Sequence, residues 1–178
     1  MDKPKSDRLI EIIAGCKDGD NESFSELVDL YARRCYGYFY RLCGDRSLSD
    51  DLLAELFVKL VEKIESYKGG AFESWLFKVA SNIFYDHLRT RQRQQKLLEA
   101  HKAELELEQQ YARYDDGEIS DKLQKQLAKL DHDTRQLIVL RFYSQMSFKE
   151  MAEMRSEPIG TTLSKLHRGL KKLRQLME

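Results

Sequence analysis

The feature that most constrains this chain is a leucine stripe near its C-terminus. Leu163, Leu166, Leu170 and Leu173 recur at steps of three and four, which predicts one apolar face of a helix. Ser164, Lys165, His167, Arg168, Lys171, Lys172 and Arg174 fall away from that face and make the other side strongly basic. Upstream, Ser147 and Glu150 have the spacing of a capping box, in which each side chain satisfies a free backbone N–H at a helix start. Pro158 suits the first position of the following helix, where its missing N–H has no partner to lose. A capped helix, a tight turn and a helix apolar behind and basic in front have the form of a helix-turn-helix DNA reader. Solvation of a lysine-rich face, and lysines complementing the helix dipole, explain part of the same pattern without a ligand.

Two prolines and nine glycines in 178 residues favour helix, and no alternating β-branched run bounded by turns predicts a sheet. Thirty basic and thirty acidic residues cancel, but they are segregated. Arg89, Arg91, Arg93 and Lys96 form one basic run without an acid. Eight acidic residues against Lys102 and Arg113 then give residues 97–121 a local net charge of −6. The C-terminal helix restores positive charge. Two cationic regions separated by an acidic segment predict two binding modules on a tether.

Phe24, Leu27, Val28 and Tyr31 predict an amphipathic helix that runs on through Tyr38 and Leu42 and ends at Gly44-Asp45. Ser49 or Asp50 is the expected cap of the next helix, which carries Leu52, Leu53, Leu56, Phe57, Leu60, Val61 and Ile64. That apolar surface exceeds what one neighbour covers, so it is either buried on two sides or partly turned to a partner. Lys68-Gly69-Gly70 reads as a break. Phe72, Trp75, Leu76, Val79 and Ile83 form another stripe, with core the better reading for Trp75. Residues 1–8 are polar and expected to fray.

The expected fold is all-α: two small helical domains at 1–93 and 120–178, joined by an acidic linker at 94–119. Catalytic readings find no support in the pattern. There is no Gly-rich phosphate loop, no His-Glu-x-x-His and no nucleophile set singled out by spacing. Cys16, Cys35 and Cys43 are an odd count without histidines nearby, which points to reduced packing thiols in a cytoplasmic protein rather than a zinc site. Neither a metal nor another cofactor is expected, and no stretch reaches the roughly 18 apolar residues of a membrane span.

Three segments, in order, resemble one family. Asp50 to Leu60 is similar to the polymerase-binding helix of bacterial sigma factors, Phe72 to Asn82 with Asp86-His87-Leu88-Arg89 to their minus-10 reading segment, and Leu140 to Arg174 to their minus-35 helix-turn-helix. Order and spacing match the two-domain extracytoplasmic-function subgroup. The resemblance implies that Asp51, Glu55, Phe57, Val58 and Leu60 dock on the coiled-coil of the largest subunit of core RNA polymerase, with the flap region as a second contact. It implies that Asn82, Asp86, His87, Arg89 and Arg91 meet the melted minus-10 strand of promoter DNA. Arg141, Ser164, Lys165, His167, Arg168, Lys171 and Lys172 are the implied minus-35 residues. An anti-sigma factor is a further implied partner. The chain departs from the family pattern in having Ser156 where a glycine is usual at the bend, Arg155 where an apolar residue is common, and Leu163 where a basic residue is frequent. The competing readings are a stand-alone helix-turn-helix regulator with a sensing or dimerising N-terminal domain, and a helical adaptor without a nucleic-acid role.

Overall fold

The computed structural model describes residues 6–101 and 118–177, and every regular element among them is helical. The expected acidic tether falls mainly on residues 102–117, outside the described residues. Among the described residues eight α-helices follow in order: α1 (Ser6–Lys17), α2 (Asn21–Cys43), α3 (Arg46–Lys63), α4 (Phe72–His101), α5 (Glu118–Ala128), α6 (His132–Ile138), α7 (Phe148–Arg155) and α8 (Ile159–Met177). A 3-10 turn (Ile64–Ser66) follows α3, and a five-residue π-helical segment (Val139–Tyr143) extends α6.

Local chemistry sets most boundaries. Asp20 caps α2 by accepting from the Ser23 N–H at 2.9 Å. Gly44, at φ 73°, ends it in the left-handed conformation that a glycine adopts without strain. The cap of α3 is Asp45, which accepts from the Leu48 N–H at 3.0 Å, and not Ser49 or Asp50. The helix therefore starts one turn earlier than expected. Ser49 lies buried inside it and bonds back to the Asp45 carbonyl. Gly69 and Gly70 both have positive φ and make the break before α4. The sequence pattern did not single out α1: residues 6–8, expected to fray, start a helix that buries Ile12, Ile13 and Cys16 against α2.

The long helix α2 is the axis of the fold, touching α1, α3 and α4 on one side and α5, α6 and the π segment on the other. It buries Leu27, Tyr31, Cys35, Tyr38, Phe39 and Leu42. Each leucine or phenylalanine among them, removed from water, contributes roughly 1.5–3 kcal/mol before ordering costs. Cys16 and Cys35 are buried and Cys43 is half-buried, and none is paired. Burial pushes the Cys35 thiol up to about 12, so it stays protonated at neutral pH.

The two modules do not stand apart. They pack along α2 and α4 through an interface rich in hydrogen bonds. The Tyr85 hydroxyl lies 2.9 Å from Asp133 Oδ1 and 2.8 Å from Gln136 Oε1. Buried Gln136 also donates to the Tyr38 hydroxyl at 3.4 Å. Arg34 bridges Glu73 at 2.8 Å and donates to the Ser144 carbonyl at 3.2 Å. Ser74 on α4 bonds Glu150 on α7. The buried Arg135 guanidinium gathers the carbonyls of Leu127, Ala128 and Leu130 and that of Leu42, at the end of α2.

Candidate nucleic-acid interface

The helix-turn-helix is built by the predicted box. Ser147 Oγ accepts from the Glu150 N–H at 3.2 Å, and Glu150 Oε2 accepts from the Ser147 N–H at 2.7 Å. α7 ends at Ser156, at φ 52° and ψ 41°, a conformation a glycine takes more cheaply. Pro158 precedes the first residue of α8 by one position, and its carbonyl accepts from the Thr161 N–H at 2.9 Å.

An ionic cluster locks this turn. Arg155 pairs with Asp133 at 2.6 Å and Glu157 at 3.0 Å, and Lys165 pairs with Glu157 at 2.6 Å. Thr162 adds a hydroxyl donor to Glu157 at 3.0 Å. Partial burial opposes ionisation of Glu157, but hydrogen bonds from Lys165 and Thr162 and the Arg155 charge outweigh it and hold the carboxyl below its usual range.

The basic face of α8 is consequently narrower than its composition implied. Ser164, His167, Arg168, Lys171, Lys172 and Arg174 are exposed, or nearly so, on the outward side. Lys165 is half-buried and engaged with Glu157, so it holds the turn instead of joining the outward face. Arg141 is also half-buried. It donates to the Met146 carbonyl at 2.9 Å and stacks 4.8 Å from the Phe148 ring, which orients the start of α7. The apolar stripe is rotated too. Thr162, Leu166 and Gly169 are buried, whereas Leu163 is 42% exposed. Thr134 stands where a β-carbon on Gly169 would sit, so α6 draws the Thr162–Leu166–Gly169 edge inward and turns Leu163 out.

On α4, Asn82, Asp86 and Arg89 share one face at i, i+4 and i+7, all three exposed, with Arg89 paired to Asp86 at 3.2 Å. His87 and Arg91 lie on a different flank. The spacing extends the first face to half-buried Trp75, exposed Lys78 and exposed Arg93. Lys78 and Arg93 were missed as candidates, although the 75–78–82–86–89–93 series carries them. Trp75 packs 5.5 Å from Tyr67 and 5.6 Å from Phe72 at the core edge, as expected. An aromatic edge leading into a cationic stripe suits unpaired bases on a backbone.

α3 divides its wide apolar surface. Leu52, Leu56 and Leu60 are in the core, with Leu60 only 1% exposed. Leu60 is therefore a packing residue and not a docking contact, because its helical phase points at α2 and α4. Phe57 is half-buried. Val58 and Val61 are 59% and 57% exposed, flanked by exposed Asp51 and Glu55. Val61 replaces Leu60 as the outward apolar residue. No group of three or more candidate ligands places a metal among the described residues, and no helix there is long and apolar enough to cross a membrane.

An all-helical pair of modules, one ending in a capped helix-turn-helix and the other carrying an apolar-acidic helix beside a cationic one, has surfaces suited to nucleic acid and to a protein partner. The sigma-70 region 2 family model matches residues 27–94 and the sigma-70 region 4 model residues 120–173. The chain is 30% identical to the RNA polymerase sigma factor CarQ of Myxococcus xanthus, over 90% of this chain and 92% of that protein. It is 29% identical to the extracytoplasmic-function sigma factor SigW of Bacillus subtilis (strain 168), over 89% and 91%. The fold is that of the sigma factor RpoE solved with the anti-sigma factor NepR from Bartonella quintana, with TM-score 0.72 and 24% identity over 88% of this chain and 97% of that one. The chain belongs to the sigma-70 family of RNA polymerase sigma factors, in the extracytoplasmic-function group. It is a promoter-recognising subunit that binds core polymerase and promoter DNA. A match to region 2 across the N-terminal module leaves the sensing-domain regulator without support.

Proposed function

We propose that the three surfaces divide the work of initiation. Val58 and Val61 of α3, rimmed by Asp51 and Glu55 and backed by Phe57, dock on the coiled-coil of the largest polymerase subunit. Trp75, Lys78, Asn82, Asp86, Arg89 and Arg93 of α4 hold the melted minus-10 strand, with His87 and Arg91 on its flank. Ser164, His167, Arg168, Lys171 and Lys172 of α8 meet the minus-35 duplex, while Arg141 and Lys165 hold the motif in shape. The N-terminal module thus occupies 1–93 and the C-terminal module 120–178, and the chain itself performs no chemical step. It acts in the cytoplasm, where an anti-sigma partner covers the Val58–Val61 surface until release.

The observation that carries this reading is the exposure of Val58 and Val61 on the outward, otherwise polar and acidic face of α3. A single exposed valine needs no explanation, but two on one stripe between acidic residues suit a partner. The minus-10 and minus-35 elements lie, by their names, about 25 base pairs apart, or roughly 85 Å at ~3.4 Å per base pair. Modules in direct hydrogen-bond contact do not span that length, so promoter binding requires that they separate.

Gel filtration with bacterial core polymerase tests the docking surface. Wild-type chain co-elutes one-to-one, and Val58→Asp/Val61→Asp elutes apart while keeping its helicity. Co-elution of the double variant would move the docking site elsewhere.

A further inference from the structure

Leu163 is a large apolar side chain, 42% exposed, on the helix that carries the minus-35 face. Ile159, one turn earlier, is 46% exposed. At 3.6 residues per turn the two lie about 40° apart, on one shoulder of α8 between the buried edge and the outward Ser164 and Lys171. The opposite shoulder carries Thr161, Arg168 and Lys172. The helix therefore has an apolar flank and a basic flank. Internal packing does not account for the apolar one, because Thr162 and Leu166 already fill the core-facing positions. Gly160, between them on the outward side, has no protein atom within 4 Å of where its β-carbon would stand, so packing does not demand a glycine there either. Its missing side chain leaves the first turn of α8 open to close approach.

The charge around this shoulder says what covers it. No acidic residue occurs from Thr161 to Arg174, and five basic residues do. That complements phosphate on both sides of a groove. Inside the major groove the apolar group on a base edge is the thymine C5-methyl. We propose that Leu163, supported by Ile159, is a specificity-determining residue of the minus-35 contact, and that it selects thymine through the C5-methyl group. The aliphatic side chain carries no donor or acceptor for a guanine edge, so selection at that position is by methyl burial and not by hydrogen bonds.

The proposal rests on α8 entering the major groove, and the test separates the two ideas. The full chain is bound to bacterial core polymerase and used to select from promoter duplexes randomised across the minus-35 region. Each thymine of the selected element is then replaced by deoxyuridine, which lacks only the methyl. Wild type is expected to lose about fourfold in affinity at one thymine, the effect of one methyl-sized group returned to water. With Leu163→Ala the same replacement has no effect, and Leu163→Arg shifts selection at that position to guanine. Uracil neutral at every thymine in wild type overturns the proposal, as does an equal loss on thymine and uracil duplexes with Leu163→Ala. Loss of polymerase co-elution by Leu163→Ala with uracil neutral assigns the shoulder to a protein contact and also overturns it. An element selected without any minus-35 enrichment sinks the groove placement itself. Circular dichroism of Leu163→Ala, a change at an exposed site, reads folding separately.

Discussion

Tyr143 of the C-terminal module stands over Gly37 of α2, its hydroxyl filling the space that a β-carbon at position 37 would need. Arg41, one turn along, lays its guanidinium 3.9 Å from the centre of the same ring. The contact joins the two modules at a point where only hydrogen fits. Gly37→Leu is expected to separate them while leaving the N-terminal module folded, since leucine is also the better helix former by about 1 kcal/mol. Small-angle scattering should show a larger radius of gyration at unchanged helicity. An unchanged radius would mean that the Tyr85, Gln136 and Arg34 bonds hold the closed form without Tyr143.

Arg135 is a charged residue buried in the fold. The residue is 7% exposed, and its guanidinium donates to the carbonyls at the end of α5, in the following turn and at the end of α2. Removing it strands several buried acceptors, each costing about 1–3 kcal/mol. Arg135→Met is expected to lower stability by roughly 3 kcal/mol or more in urea titration. A loss under about 1 kcal/mol would show that water replaces the donor freely.

Ser156 holds a left-handed backbone without being glycine. Ser156→Gly should stabilise the C-terminal module by about 1 kcal/mol, read as a higher melting temperature. Ser156→Val should destabilise it, because a β-branched side chain tolerates positive φ worst. A lower melting temperature for the glycine variant would point to a hydrogen bond of the serine that outweighs its strain.

Glu157 gives the turn a pH dependence whose sign follows from its partners. Its folded pKa is lowered, so it contributes stability above its unfolded value of about 4.3 and loses it as pH falls through the folded value. The turn should be insensitive between about pH 6 and 8 and should weaken in acid. Comparing wild type with Glu157→Gln from about pH 2.5 to 7 checks this. The variant should be less stable near neutrality and should approach wild type at the acid end. A difference that persists unchanged to the acid end would show that the carboxylate charge is not what holds the turn.

Lys171 and Lys172 are exposed, and the charge of α8 suits phosphate binding. Lys171→Ala and Lys172→Ala should weaken holoenzyme binding to all minus-35 sequences alike. Each substitution should lower the salt slope by about 0.9, the value of one phosphate neutralised by one lysine. A change in sequence preference without a change in slope would make them base readers instead.

The local signals were legible residue by residue. The Ser147–Glu150 box, the left-handed Gly44, the Gly69–Gly70 break and the period of α2, α4 and α8 all depend on atoms within about one turn of each other. The same spacing could have revealed α1, whose Leu9, Ile12, Ile13 and Cys16 follow the helical step. Errors of phase were different in kind. Leu60 against Val61, and Leu163 against Thr162, are neighbours about 100° apart on a helix, and each pair contains at least one residue that suits either environment.

The chain by itself determined an all-helical fold, the capping box of α7 and the glycine breaks, because these follow from short-range periodicity and backbone bonding, while the resemblance to sigma factors pointed to the three segments proposed to meet polymerase and promoter. Only the tertiary structure decided that Lys165 serves Glu157, that Arg141 braces α7, that Arg135 ties α5 to α2, and that Leu163 faces outward. Those outcomes depend on partners up to 93 residues away in sequence, as for Arg135 and Leu42. Long-range packing selects among helical phases that local energies leave nearly equal.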